Sequence, residues 1–453
     1  MLLLVAAFTI LRDWFAVPFA DVCAAIGVAI LVVLAVPTAA SSRRLFVAIG
    51  FALVLIAVGS RTDWQTIVLN AFGQGAFIAT FFCALATLRT PSAISPAIMR
   101  CGEYLASQPP GKRYFALTSG GHLFALFLNY GAIQLLGSLA ESIAGRETDE
   151  ELREIRNRRM LLAIQRGFCA SLLWSPLAFA MAITTSVIPG ASWSGTAVYA
   201  LGNAVVFAAI GWALDTIVKP KYSGLRPARQ TPRGSISDLK PLAILLLTIF
   251  VGVGLIERAT GLRVVTVVMA FIPLVAVVWL IIESQRYERP MAIVRSRLRG
   301  LAFTEIPSYR SEIVLLVMAG IIGSLGASLA VPVLRQAGLD FSSVPMVVII
   351  VAPIWLIPLL GQLGMNPILS VSLLAPILPS PEIIGISPSA LVCSITAGWA
   401  LAGATSPFTA STMLIGRLGH TTAFRVGTSW NRTFFLVCAV AMTIGSLLIA
   451  NLA

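Results

Sequence analysis

The chain has 453 residues, 58% hydrophobic and 11% charged, with mean hydropathy +0.91 and net charge +13. A soluble domain carries about 25% charged residues, so this composition excludes one. Repeated apolar runs able to cross ~30 Å of hydrocarbon make the chain a polytopic membrane protein. The basic residues sit in loops between those runs, as the positive-inside rule requires, and nucleic acid is excluded as a partner.

Residues 1–19 read as an interfacial helix or partial span. Arg12-Asp13 follows the apolar start without a small-residue cleavage site, so no cleavable signal is expected. Spans are predicted at 20–39, 43–59 and 66–88. A polar, basic stretch, 89–113, precedes the run 114–143, which is too long for one ordinary helix and is interrupted by Asn129-Tyr130-Gly131. Two half-helices of ~14 residues reach only about 21 Å each, so a re-entrant hairpin is expected. Residues 145–160 mix charges of both signs three or four apart, the pattern of a solvated arm. The run 161–187 is broken at Ser175-Pro176, because proline lacks the backbone donor and clashes with the preceding turn. A span at 195–216 closes a first repeat, 20–216.

A basic linker at 217–240 carries Lys219, Lys221, Arg226, Arg229, Arg233 and Lys240. The second repeat, 241–453, follows the same order. Its spans are 241–256, 264–282 and 311–333. A hairpin at 344–377 is interrupted at Gly364-Met365-Asn366-Pro367, a broken helix at 390–415 carries Ser406-Pro407, and the closing span is 433–452. The linker and the arginine-rich loop 283–310 belong in the cytoplasm by charge. Threading from them opens the first hairpin inward and the second outward. The expected fold is all-α, with two inverted repeats, about 10–11 transmembrane helices and two hairpins. Segments interrupted at matching places in two halves point to a secondary transporter and its binding site.

These motifs, Asn129-Tyr130-Gly131, Ser175-Pro176, Gly364-Met365-Asn366-Pro367 and Thr405-Ser406-Pro407-Phe408-Thr409, resemble the ion transporter superfamily. That group includes divalent-anion/sodium symporters, citrate carriers, arsenite permeases and the large subunit of TRAP transporters. Of the Ser-Asn-Thr tip signature of the divalent-anion symporters, the asparagine alone is retained. The resemblance implies a dimerising scaffold, a mobile transport domain and elevator-type movement. It also implies a homodimer in a bacterial-type inner membrane.

A half-helix that starts inside the bilayer aims its N-terminal amides at an anion, while free carbonyls suit Na⁺. Candidate substrate-binding residues are Asn129, Tyr130, Gly131, Ser175, Pro176, Asn366, Pro367, Ser406, Pro407 and Thr409. Candidate ion-binding residues are Asn129, Ser175, Asn366, Thr405 and Ser406. No Asp or Glu lies within either broken helix. A membrane carboxylate usually serves cation/proton exchange, so its absence favours Na⁺-coupled symport of a small anion such as a carboxylate. Inorganic-ion or arsenite-type efflux is the alternative. His122 fits either a packing residue or a proton-sensitive group for H⁺ coupling. Arg166 and Arg417 fit snorkelling to the interface first and drawing in an anion second, and Asp215 and Glu257 are expected to be solvated at span ends.

The cysteines form no CxxC pair and the two histidines, His122 and His420, no HExxH motif. No metal site, cofactor or catalytic residue is expected beyond Na⁺ as coupling ion. No nucleophile/base pair and no P-loop is found, so the chain is not read as an enzyme or a primary pump.

Overall fold

In hydrocarbon every backbone N–H and C=O needs a partner inside the protein, and a helix supplies one within its own segment. The computed structural model describes residues 1–38, 41–220, 222, 234–338 and 341–452, and every regular element among them is helical. Among the described residues, seven helical stretches are long and apolar enough to cross a membrane: Trp64–Ile94, Trp193–Ile217, Ile236–Thr260, Val264–Ser284, Arg310–Leu334, Pro388–Leu418 and Arg432–Asn451. Ala20–Ala35, Arg44–Ser60 and Met346–Gln362 are apolar but shorter. The chain is an all-α polytopic membrane protein.

The helices form two compact units, and each draws on both halves of the sequence. The first unit comprises Met1–Ile94, Ile249–Val344 and Ile368–Pro379. Here Leu2–Phe15 ends where Ala16 and Phe19 take positive φ, and the chain turns back as Ala20–Ala35. At fourteen residues the first helix rises about 21 Å, less than the ~30 Å of a hydrocarbon core. Trp14 secures it by donating its indole N–H to the Thr266 carbonyl (3.1 Å). The long helix Arg310–Gln336 packs along Trp64–Ala86 and Ser41–Ser60. Part of the expected basic loop 283–310 is an amphipathic helix, Pro290–Gly300, which buries Val294 and exposes Arg295, Arg297 and Arg299. Arg89 donates to the Tyr309 hydroxyl, with its guanidinium 4.6 Å from the Tyr309 ring centre.

The second unit comprises Ser95–Thr248, Pro345–Pro367 and Ser380–Ala453. It opens with Pro96–Ala106, a helix within the polar, basic stretch 89–113. Ile98, Cys101 and Leu105 are buried there. The first hairpin follows as Pro110–Leu128 and Tyr130–Ala144. Its first arm starts earlier than predicted because Pro110 supplies a ready first-turn residue, and its 19 residues rise about 28 Å. The first broken helix is Glu150–Leu172 with Phe179–Val187, the second Pro388–Thr405 with Ala410–Leu418. Trp193–Ile217 and Arg432–Asn451 complete the unit. The expected second hairpin is divided: Met346–Gln362 groups with the second unit, whereas most of Pro367–Leu374 groups with the first. Lys221, Arg226, Arg229 and Arg233 of the basic linker lie outside the described residues.

Candidate functional site

The first break follows from local chemistry. Asp149 caps the helix by accepting from the Leu152 amide (2.8 Å), and Glu150 and Glu151 complement the positive end of its dipole. From Met160 the helix is apolar to Leu172 apart from Gln165-Arg166, then the chain meets Pro176. Ser175 is buried, and its hydroxyl accepts the Leu177 amide (3.1 Å), an orphan donor of the segment that follows. Trp174, beside the break, donates its indole N–H to His122 Nε2 (3.1 Å) and stacks on that ring with centres 5.9 Å apart. Trp193 in turn donates to the Trp174 carbonyl (2.8 Å). Indole nitrogen only donates, so His122 is here the neutral tautomer carrying its proton on Nδ1.

The second break uses hydroxyls. Thr405 donates to the Leu401 carbonyl (2.7 Å), Ser406 to Gly361 (2.7 Å), Thr409 to Ser406 (2.9 Å) and Ser411 to Gly403. Gln362 reaches the Thr405 carbonyl (3.0 Å), and Gly364 lies against Phe408. The end of Met346–Gln362 is therefore fastened onto the second break. At the same carbonyl, a Cβ on Gly427 would come within 1.9 Å of the Thr405 oxygen, so no larger residue fits.

The two broken helices meet. Gly403 faces Leu172 and Cys169, one turn ahead of the first break. Gln165 donates to the Ala404 carbonyl (3.3 Å). Asn431, wholly buried at the start of the last helix, donates to Gln165 Oε1 (3.0 Å), Ala404 O (3.0 Å) and Val426 O (3.2 Å). Its oxygen accepts from Arg166 Nε (3.1 Å). Arg166 also donates to the Tyr114 hydroxyl (3.0 Å), and its guanidinium lies 4.3 Å from the Phe434 ring centre.

This network corrects the expectation for Arg166. The residue is 5% exposed and does not snorkel, because Tyr114, Asn431 and Phe434 enclose it. Asp215 likewise is not solvated: Arg159 holds it in a two-pronged pair (2.8 and 2.6 Å). Arg417 is exposed in the last turn of its helix, and Glu257 is half-buried.

At the first tip Asn129 takes φ 51° and ψ −127°, a conformation rare for a residue with a Cβ and tolerated best by asparagine or glycine. Its amide bonds the Ala125 carbonyl (3.1 Å), its own carbonyl accepts from Ala132 (3.0 Å), and among the described residues its side chain has no hydrogen-bond partner. Tyr130 stacks obliquely on Phe168 (5.1 Å), and Gly131 sits over Leu128. The predicted residues thus fall into sets. Thr405, Ser406, Pro407 and Thr409 gather around Gly361 and Gln362, Ser175 and Pro176 neighbour the His122–Trp174 pair, and Asn129–Gly131 lie by Phe168. Asn366 and Pro367 end the second unit's share of the second hairpin. Sequence reasoning missed Gln165, Arg166, Asn431 and Tyr114 as a cluster. The visible signal was Gln165-Arg166, two polar residues together inside the apolar run 161–187.

This fold has solved counterparts. The Alcanivorax borkumensis YdaH transporter, whose topology is described as unusual, superposes with a TM-score of 0.58 at 16% identity, covering 90% of this chain and 97% of that one. Neisseria gonorrhoeae MtrF, from a class of antimetabolite efflux pumps, gives 0.56 at 15% identity over 88% and 94%. No family model matches, and no curated protein matches by sequence. The chain has the fold of these membrane transporters.

Proposed function

We propose that this chain is an ion-coupled secondary transporter of a small anion, with its site where the two broken helices meet. One observation carries the reading: Ser175-Pro176 and Ser406-Pro407 interrupt two helices that converge in one unit at Gly403, Leu172 and Gln165. Interrupted helices are tolerated inside membrane proteins where freed backbone groups line a cavity or bind a ligand. The transporter folds of YdaH and MtrF support the same reading. Na⁺ is the proposed coupling ion, at the carbonyls and hydroxyls around Ser406 and Thr405, with Asn129, Ser175 and Asn366 as further ligands. An elevator-type movement, a homodimer, kinship with the ion transporter superfamily and an inner-membrane location belong to the same proposal.

The test is uptake into proteoliposomes of citrate, succinate, sulfate or arsenite under an imposed Na⁺ or H⁺ gradient. Gradient-driven uptake of an anion, abolished by Asn129→Ala or Asn366→Ala, is the expected outcome; equal uptake with and without either gradient would count against coupling. A second reading is H⁺-coupled export. It is supported by the His122–Trp174 bond at the first break, which a proton on Nε2 would break, and by the efflux role of MtrF. Under that reading His122→Gln uncouples transport from the H⁺ gradient.

A further inference from the structure

Arg166 is a cation without a counter-charge. Among the described residues no carboxylate pairs with it; its partners are an amide oxygen, a phenol and an aromatic ring. The nearby carboxylate of Asp215 is already engaged, both oxygens, by Arg159. Arg158, by contrast, is exposed and rests on the Trp430 ring (5.2 Å). Taking a lone guanidinium out of water is costly, and an ionisable group kept inside membrane segments marks a functional place. Arg166 is also spatially committed. A Cβ on Gly211 would fall within 3.3 Å of its Cδ, so the side chain has no room to swing toward that helix. Through Asn431 its charge stands one side chain away from the Ala404 carbonyl, at the edge of the second break.

We infer that Arg166 sets the sign of the transported solute: the anion at the meeting of the broken helices supplies the negative charge that the protein withholds. Arg166 acts through its field and through Asn431, so it is a specificity-determining, positioning residue. This rests on the transport reading above. A fixed charge near a low-dielectric site changes affinity by about tenfold per unit of solute charge.

The experiment measures thermal unfolding of the purified full chain with citrate, succinate or sulfate, at ionic strength balanced with chloride. At least one anion is expected to stabilise the wild type. Arg166→Gln should lose that shift, and Arg166→Lys, which keeps the charge but not the fork, should retain it. If Arg166→Gln does not fold, Asn431→Asp serves instead, because a carboxylate there neutralises Arg166 in place and should also abolish the shift. Full anion stabilisation in Arg166→Gln or Asn431→Asp, or no stabilisation of the wild type by any of the three, overturns the inference. Proteoliposome uptake separates this from the transport reading. Gradient-driven uptake whose half-saturating concentrations are unchanged in Arg166→Gln sinks the inference alone, whereas no uptake of any solute by the wild type sinks transport itself.

Discussion

The two breaks look alike in sequence, a serine followed by a proline in an apolar helix, yet they are satisfied in different ways. At the second, nearly every donor is local: Thr405, Ser406, Thr409, Ser411 and Thr412 are within eight residues of one another, and four carbonyls receive them. At the first, the Ser175 hydroxyl accepts the Leu177 amide, Ser171 donates one turn earlier to Phe168, and Trp174 is tied to His122 and Trp193. In both, the serine oxygen accepts the amide two residues on, but the second adds a set of local hydroxyls and a tie to Gly361 and Gln362. A break held by distant side chains changes when those side chains do.

The largest expected effect comes from cutting the link between the breaks. Asn431→Ala leaves Arg166 Nε and Gln165 Oε1 buried without their partner, a loss on the order of 3–5 kcal/mol, read as a large fall in the unfolding midpoint. Retention of the wild-type midpoint would show that the network is dispensable. Gly427→Ala comes next: its methyl group would overlap the Thr405 carbonyl, and overpacking of this kind costs about 1–3 kcal/mol.

The serines then sharpen the comparison. Ser175→Ala leaves the buried Leu177 amide without its acceptor, at about 1–3 kcal/mol. Ser406→Ala strips the Gly361 carbonyl of its side-chain donor but leaves it the Gly364 amide (3.2 Å), at about 0.5–1.5 kcal/mol. Equal losses on unfolding would erase the distinction between the breaks. Trp174→Phe keeps an aromatic ring beside His122 but deletes the indole donor. About 1 kcal/mol is expected, with greater proteolytic susceptibility near 174 and none near 406. As the smallest change, Arg153→Ala loses an exposed pair with Glu150 (3.2 Å) and should stay within about 0.5 kcal/mol of wild type.

Much of the candidate site was legible because its cause is local. Pro176 and Pro407 lack an N–H wherever they sit, so an interrupted helix could be read at 175 and 406. Asn129 likewise marked a turn within a run too long for one helix. The division of the second hairpin between two units was not legible. Nothing in Pro367–Leu374 tells its eight residues which unit to pack on; Gly323 and Gly326 of a distant helix receive Ser372 and Leu373. Arg166 illustrates the same limit. An arginine near the end of a run reads as an interface residue, since its long stem can carry the charge to water.

Membrane insertion, helical class, the order of runs and breaks, and the turn at Asn129 were determined by the sequence alone, because each depends on one residue's backbone chemistry or on hydropathy summed along the chain. Tertiary structure decided that the breaks converge, that Gln165, Arg166 and Asn431 share one network, and that Asp215 is paired. Those facts depend on which helices cross and how closely, as where Gly167 lets the Thr118 carbonyl come to within 2.1 Å of where a Cβ would stand. Burial of a charge is a property of its neighbours, and neighbours far apart in the chain meet only once it has folded.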